Sequence, residues 1–150
     1  MTSSSTARVT VTVTGLLDAP HAMHIAVDGA GRCPPASAAR NLHGHLAIGL
    51  TQAMPYVGLP GAALTVRGST NPAKALALNR YPKSGTYHYD RTIPLTANLR
   101  RNLNSGHAVL TILGIDYDQN GRYTGVLGYE RLAPNLPVEA SAPALCGVLH

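Results

Sequence analysis

The chain has 150 residues, a length that corresponds to one domain of ordinary size. Apolar residues make up 45% and charged residues only 13%, which excludes a disordered chain because such chains are rich in charge and poor in core-forming residues. The 15 glycines and 11 prolines favour strands and turns and exclude a coiled coil. No stretch approaches the roughly 20 apolar residues of a membrane span, so we expect no membrane partner.

The net charge of +5 comes from 12 basic and 7 acidic residues. Arg100 and Arg101 form the only adjacent basic pair, and the aromatic residues are seven tyrosines. Nucleic-acid-binding proteins usually gather Lys and Arg into a stripe. We therefore expect no nucleic-acid partner and only a mild attraction for anionic ligands.

Residues 1–7 read MTSSSTA and are expected to form a flexible N-terminus, and residues 8–150 are predicted to form the domain. The N-terminus has no basic segment followed by an apolar segment, so no signal peptide is visible and we expect a cytoplasmic protein. If a leader was removed and Met1 took its place, the protein would instead be secreted.

Eight segments have strand-like patterns. The clearest is residues 8–15, where Val and Thr alternate with the period of two that places successive side chains on opposite faces of a strand. The others are residues 21–27, 61–68, 73–81, 86–95, 107–117, 122–128 and 144–149. Turn residues separate them at roughly 8–12 residues, a spacing typical of all-β sandwiches and barrels.

Two segments have a different pattern. Residues 36–52 form a long connection with room for a helical turn. Residues 97–103, followed by the Asn-Ser-Gly of residues 104–106, predict one short helix with a glycine stop. The sequence therefore predicts an all-β, single-domain fold of eight antiparallel strands, a sandwich or barrel with one short helix.

Cys33 lies in a proline-rich loop and Cys146 in the last predicted strand. A disulfide between them would close a long loop and stabilise the domain. Two reduced cysteines would be ordinary in a cytoplasmic protein. The residues alone leave both alternatives open.

Four motifs, HAMHIAV, GRCPP, LGIDYDQNGRYTG and APALCGVL, occur in this order along most of the chain. Their order resembles that of the bacterial CHRD-domain proteins, which in turn are similar to the copper/zinc superoxide dismutases. The resemblance implies an eight-stranded Greek-key β-sandwich. It also implies a disulfide that joins Cys33 in a long loop to Cys146 in the last strand.

The metal ligands of the dismutase-like proteins are only partly present. Those proteins carry a His-x-His pair on one strand, whereas here His24 is followed two residues later by Ala26. Leu113 likewise replaces an imidazole before Gly-Ile-Asp. We therefore expect no cofactor. The alternative is a zinc or copper site formed by His24 with His43 and His45 of the long loop.

Residues 116–121, DYDQNG, resemble the start of a calcium-binding loop, with oxygen ligands at alternate positions before a glycine. An EF-hand loop would need a bidentate Glu at its twelfth position, which here is Leu127. Asp, Asn and Gly are also the residues that form tight turns. We therefore predict a hairpin turn here.

No nucleotide-binding or nucleophile-elbow motif is present, which leaves acid–base chemistry or carbonyl polarisation by His, Tyr, Asp and Arg. These residues are densest in the strand of residues 86–95, where Tyr87, Tyr89 and Arg91 share one face and His88 and Asp90 the other. The tyrosines would alternatively serve as core residues, since the chain has no Phe or Trp. The predicted catalytic residues are His24, His88, Tyr89, Arg91 and Asp116, and the resemblance places the former metal region near His24, Arg91 and Asp116.

Three functions follow from these expectations. The first is a cofactor-free cyclase, isomerase or dehydratase of specialised metabolism that acts on a small apolar substrate by acid–base chemistry. The second is a non-catalytic module that binds zinc or copper or has a structural role, and the third is a superoxide dismutase. We expect the first, with a small molecule as partner, and leave open whether the chain forms a homodimer.

Overall fold

Eight antiparallel strands form three sheets in the computed structural model, which describes residues 5–131 and 133–150. The strands are β1 (Thr6–Val13), β2 (Met23–Asp28), β3 (Arg40–Leu42), β4 (His45–Ala47), β5 (Gly58–Ala63), β6 (Tyr87–Pro94), β7 (Val109–Leu113) and β8 (Pro143–Val148). The α-helices are α1 (Leu50–Val57), α2 (Ala97–Ser105) and α3 (Val138–Ser141). Within these described ranges, every helix is too short or too polar to cross a membrane.

A four-stranded sheet in the order β5-β2-β7-β8 packs against a two-stranded ribbon of β1 and β6. Strand alternation places Met23 and Ile25 of β2 on the face toward the ribbon, where they meet Val13, Tyr89 and Ile93. These side chains are buried and form the main core. The arrangement is sandwich-like, as the sequence predicts.

The other face of the four-stranded sheet is covered by the long connection between β2 and β5. Ala26 of β2 packs there against Ala53 and Val57 of α1. The disulfide between Cys33 and Cys146, with a Cα–Cα distance of 5.8 Å, ties this connection to β8. The bridge that the resemblance implies is therefore present.

The connection also contains the β3–β4 hairpin, whose turn is formed by His43 and Gly44. Both residues have positive φ angles, 51° and 84°, the combination that a two-residue hairpin turn of type I′ requires. The side chain of Asn41 accepts the Gly44 amide N–H at 2.8 Å and closes the turn. The helical turn predicted within residues 36–52 is present as a 3₁₀ turn at Ala36–Ala38.

The strands predicted at residues 8–15, 21–27, 86–95, 107–117 and 144–149 and the helix at 97–103 are confirmed, with shifted ends. The strand predicted at residues 61–68 begins earlier, at Gly58. Strand β1 begins at Thr6, inside the segment predicted to be flexible, and residues 1–4 of that segment lie outside the described residues. The structure also has α1 and α3 beside the one predicted helix.

Two predicted strands are wrong. Residues 73–81 contain two 3₁₀ turns, Pro72–Lys74 and Leu78–Arg80, because Pro72 favours a turn and the Asn71 side chain accepts the Ala73 N–H at 2.8 Å. Residues 122–128 contain the 3₁₀ turn Gly125–Leu127, which ends at Gly128 with a φ of 86°. In residues 73–78, Ala alternates with larger side chains and imitates the pattern of a strand.

We predict that removing the disulfide destabilises the domain strongly. The bridge closes 113 residues, for which the chain-entropy model gives about 5 kcal/mol at 25 °C. The double variant Cys33→Ser/Cys146→Ser should therefore unfold at a much lower urea concentration than the oxidised protein. A wild-type sample reduced with dithiothreitol is the matched control and should behave like the variant. A difference below about 1 kcal/mol would contradict an entropic role for the bridge.

Candidate functional site

His24 is buried and binds the part of the chain between β5 and β6, which contains no strand. Its Nε2 lies 2.6 Å from the carbonyl oxygen of Ala75, to which it donates in the neutral form of the ring. Burial lowers the pKa of His24, with the hydrogen bond to Ala75 opposing this effect, and so favours the neutral ring. The Tyr81 hydroxyl donates to the same carbonyl at 3.0 Å.

Arg91 and Tyr89 fix the same segment at a second carbonyl, that of Thr65. Arg91 Nη1 donates to this oxygen at 2.7 Å and to the Thr65 hydroxyl at 2.9 Å, and the Tyr89 hydroxyl donates to the same carbonyl at 3.2 Å. Arg91 Nη2 donates to the carbonyl of Gly68 at 2.5 Å. Residues 64–86, which we call the connecting segment, are thus attached to β2 and β6 by side chains.

Arg91 also keeps hydrogen-bonding capacity. A guanidinium has five N–H donors, and Thr65 and Gly68 take three of those of Arg91. Nε makes no hydrogen bond within residues 5–131 and 133–150, and the Tyr89 hydroxyl also interacts with this guanidinium. A guanidinium with an unused N–H can donate to an oxygen of a bound carboxylate or phosphate.

The outer face of β6 is separate from this network. His88 Nδ1 lies 2.9 Å from the Thr12 hydroxyl, and Asp90 forms a salt bridge with Arg8 that lowers the pKa of its carboxyl. Both side chains point to solvent, on the opposite face from Tyr89 and Arg91, as the alternation in the sequence predicts. His88 therefore does not join the other predicted catalytic residues.

Asp116 lies in a turn that follows β7. Its carboxylate accepts the N–H groups of Asn120 and Gly121 at 3.0 and 2.8 Å, which gives the turn predicted for residues 116–121. This turn is not a hairpin, since the strand predicted after it is absent from the described residues. Asp116 is thus occupied by backbone donors.

Glu139, a fully buried residue of α3, is not among the predicted site residues. Its carboxylate accepts the backbone N–H groups of Tyr117 and Thr124 at 2.7 and 2.5 Å. One carboxylate oxygen from each of Asp116, Asp118 and Glu139 lies within 4.8 Å of the others. Such carboxylates are the ligands that hard cations prefer, but the oxygens of Glu139 already accept hydrogen bonds. No local pattern reveals Glu139, because only the tertiary fold brings it here.

The three histidines of the alternative metal site do not meet. The His43 ring lies over Gly128, His45 stacks edge-on against Tyr117 at 5.3 Å, and His24 contacts Ala75. In the described part of the chain, Asp116, Asp118 and Glu139 are the only group of three metal-ligating side chains within such reach. The residues present therefore do not fit the copper or zinc centre that the resemblance implies.

A cavity of about 350 Å³ lies beside Arg91. It is bounded by β5, β6, the connecting segment and the start of α2, and its lining residues are Gly61, Ala62, residues 68–72, Arg91, Pro94 and Thr96. Thr96 caps α2, its hydroxyl accepting the Leu99 N–H at 3.1 Å. Of the predicted catalytic residues, Arg91 alone lines this cavity. Ser69, Thr70 and Asn71 are not among the predicted site residues, and they lie between the segments predicted as strands, residues 61–68 and 73–81.

Comparisons with protein-family models, with curated proteins and with solved structures find no significant match for this chain. The resemblance to CHRD-domain proteins and to superoxide dismutases, and the Greek-key order that it implies, therefore stay predictions. What the chain does is inferred from its own side chains and their surroundings.

We predict that His24 makes the stability of the domain depend on pH. Because burial lowers its pKa in the folded chain below the ordinary 6.5, the unfolded chain binds a proton more tightly. The stabilisation from the neutral ring is complete above pH 6.5 and declines as the pH falls below it, by at most about 1.4 kcal/mol per pH unit. His24→Gln, which keeps a donor for Ala75, should lose this part of the pH dependence.

The measurement is urea unfolding between pH 5 and 8, with His88→Gln as the matched control on the exposed face of β6. The control should keep the slope of the wild-type protein. Equal slopes for His24→Gln and wild type would contradict the prediction.

Proposed function

We propose that this protein binds a small organic molecule in the cavity beside Arg91. The observation that carries the proposal is a guanidinium fixed by three hydrogen bonds, with an Nε that has no acceptor among the described residues, in a side chain that lines a cavity of about 350 Å³. Small-molecule sites are typically concave and have a few polar groups at fixed positions. The ligand is expected to present a carbonyl or acidic oxygen to Arg91.

The lining favours binding over acid–base catalysis. Arg91 is accompanied by hydroxyl and amide side chains, those of Ser69, Thr70, Asn71 and Thr96, and by apolar surface from Pro72 and others. These groups donate and accept hydrogen bonds but do not exchange protons at neutral pH. The described lining holds no His, Asp, Glu, Lys, Tyr or Cys.

We predict that Arg91→Gln weakens ligand binding by about 10–100-fold, which corresponds to losing a hydrogen bond to a charged group worth about 1.5–3 kcal/mol. The screen uses ¹⁵N-labelled protein and a panel of small ketones, carboxylic acids and phosphate esters, followed at the amides of residues 68–71. Arg122→Gln, on an exposed loop, is the matched control and should bind as wild type.

Arg91→Lys keeps the charge and separates loss of binding from loss of folding, and the urea midpoint of each variant is compared with wild type. Two outcomes contradict the proposal. One is that no panel member shifts the cavity amides, and the other is that folded Arg91→Gln binds as tightly as wild type.

A cofactor-free enzyme of the cyclase, isomerase or dehydratase type is the second candidate. The observation that favours it is that Arg91, one of the five predicted catalytic residues, lines the cavity. Arg91 would stabilise negative charge on a carbonyl oxygen, a contribution of about 10²–10³ in rate for one such donor. The proton transfers would then involve the ligand's own groups or water.

This candidate predicts that a molecule bound in the cavity is converted, as followed by one-dimensional NMR of the ligand over hours. Arg91→Gln should slow conversion by at least about 10²-fold, whereas His88→Ala, on the outer face of β6, should leave the rate unchanged. Binding alone predicts that the wild-type protein returns the ligand unaltered, which would refute the enzyme.

We also propose that the protein works in an oxidising compartment. A disulfide that ties two parts of a domain together is typical of proteins in oxidising compartments and rare in the cytosol. The bridge therefore favours the secreted alternative over the cytoplasmic one. Mass spectrometry of alkylated protein isolated from each compartment would test this, since modified Cys33 and Cys146 would place the native protein in a reducing environment.

A further inference from the structure

Three arginines surround Gly68 in the connecting segment. Arg91 donates to its carbonyl, and Arg80 occupies the space on its other side, where an added Cβ would lie 2.0 Å from Nη1. Arg67 precedes Gly68 in the chain and donates to the carbonyl of Asn79 at 3.4 Å. The backbone N–H of Val66 donates to the carbonyl of Arg80 at 2.8 Å and so joins the two ends of the loop formed by residues 66–80.

Gly68 is needed at this position for two reasons. Its φ angle of 76° is one that residues with a side chain rarely adopt, and a side chain here would displace the Arg80 guanidinium. The loop is thus built so that two guanidiniums approach the same residue from different sides. Gly68 also lines the cavity that Arg91 lines.

No carboxylate balances these charges within the described part of the chain. Residues 29–89 contain no Asp or Glu and six basic residues. Asp90, next to Arg91 in sequence, lies on the opposite face of β6 and is paired with Arg8. Arg80 and Arg91 both approach Gly68, and like charges brought near each other repel. An arrangement of this kind is stabilised when an anion binds.

We propose that the Gly68 end of the cavity binds a phosphate group, as inorganic phosphate or as the phosphate of a small organic ester. The unused Nε donor of Arg91 can bind a phosphate oxygen. Arg80 and Arg67 do not line the cavity, but they lie beside Gly68 and supply the further positive charge that a dianion requires. The net charge of +5 attracts such a ligand over a longer range. This inference rests on the proposed function and adds the chemical class of the ligand.

The test is a titration of ¹⁵N-labelled full-length protein with inorganic phosphate, phenyl phosphate and acetate, each at constant ionic strength set by sodium chloride. We expect both phosphates to shift the amides of residues 67–70 saturably and acetate to bind at least tenfold more weakly. Phenyl phosphate should bind more tightly than inorganic phosphate because its ring enters the cavity. Arg80→Gln should weaken phosphate binding at least tenfold, Arg80→Lys less, and the control Arg122→Gln not at all.

The outcomes separate this inference from the proposed function. If acetate binds in the cavity as tightly as phosphate, or if folded Arg80→Gln binds phosphate as wild type, the phosphate site is refuted and the small-molecule site stands. If phenyl phosphate binds at the Gly68 loop without shifting amides elsewhere in the cavity lining, its ring does not enter the cavity. In that case the predicted order of the two phosphates also fails, and the claim for an organic ester is refuted. If no compound of any class shifts residues 67–71, both proposals fail.

Discussion

The connecting segment must satisfy its backbone polar groups without belonging to a sheet. It joins β5 in the four-stranded sheet to β6 in the ribbon, so it crosses from one layer of the sandwich to the other. Side chains supply what a strand ladder would otherwise supply: His24 and Tyr81 donate to Ala75, and Tyr89 and Arg91 donate to Thr65. A buried carbonyl without a donor costs about 1–3 kcal/mol. The two layers, and the cavity between this segment and β6, therefore depend on these donors.

This constraint gives His24 a different role from the one that the resemblance implies. A metal ligand must present a lone pair to the ion. The Nε2 of His24 lies at hydrogen-bond distance from the carbonyl oxygen of Ala75, and because that oxygen can only accept a hydrogen bond, Nε2 must carry the proton. A neutral ring that donates from Nε2 cannot also bind a metal through that atom. The tyrosines have a similar double use, because Tyr81 and Tyr89 fill the core and also donate from their hydroxyl groups.

The parts of the fold that the sequence predicts are those determined by local alternation. In β1 and β6 alternate residues differ in polarity, so the two faces of β6, with Arg91 on one and His88 on the other, could be predicted. Residues 73–81 alternate as well, but there the leucines pack from a non-strand backbone, and the prediction failed. The cavity and the position of Glu139 depend on contacts between residues far apart in the chain. The hydrophobic periodicity and the motif spacing of the sequence do not predict such contacts.

The acidic and the basic residues of the domain lie largely in two different regions. Three of its seven acidic residues meet around the turn that follows β7, where backbone N–H groups donate to Asp116 and Glu139 and the Asn120 side chain donates to Asp118. Arg67 of the connecting segment and Arg91 beside it donate to carbonyl and hydroxyl oxygens, which orient a guanidinium but do not neutralise it. Arg91 is therefore both a structural donor and an uncompensated charge. An anion bound beside it would reduce the repulsion between Arg91 and the arginines of the connecting segment. Ligand binding and the folded arrangement of this segment would then stabilise each other.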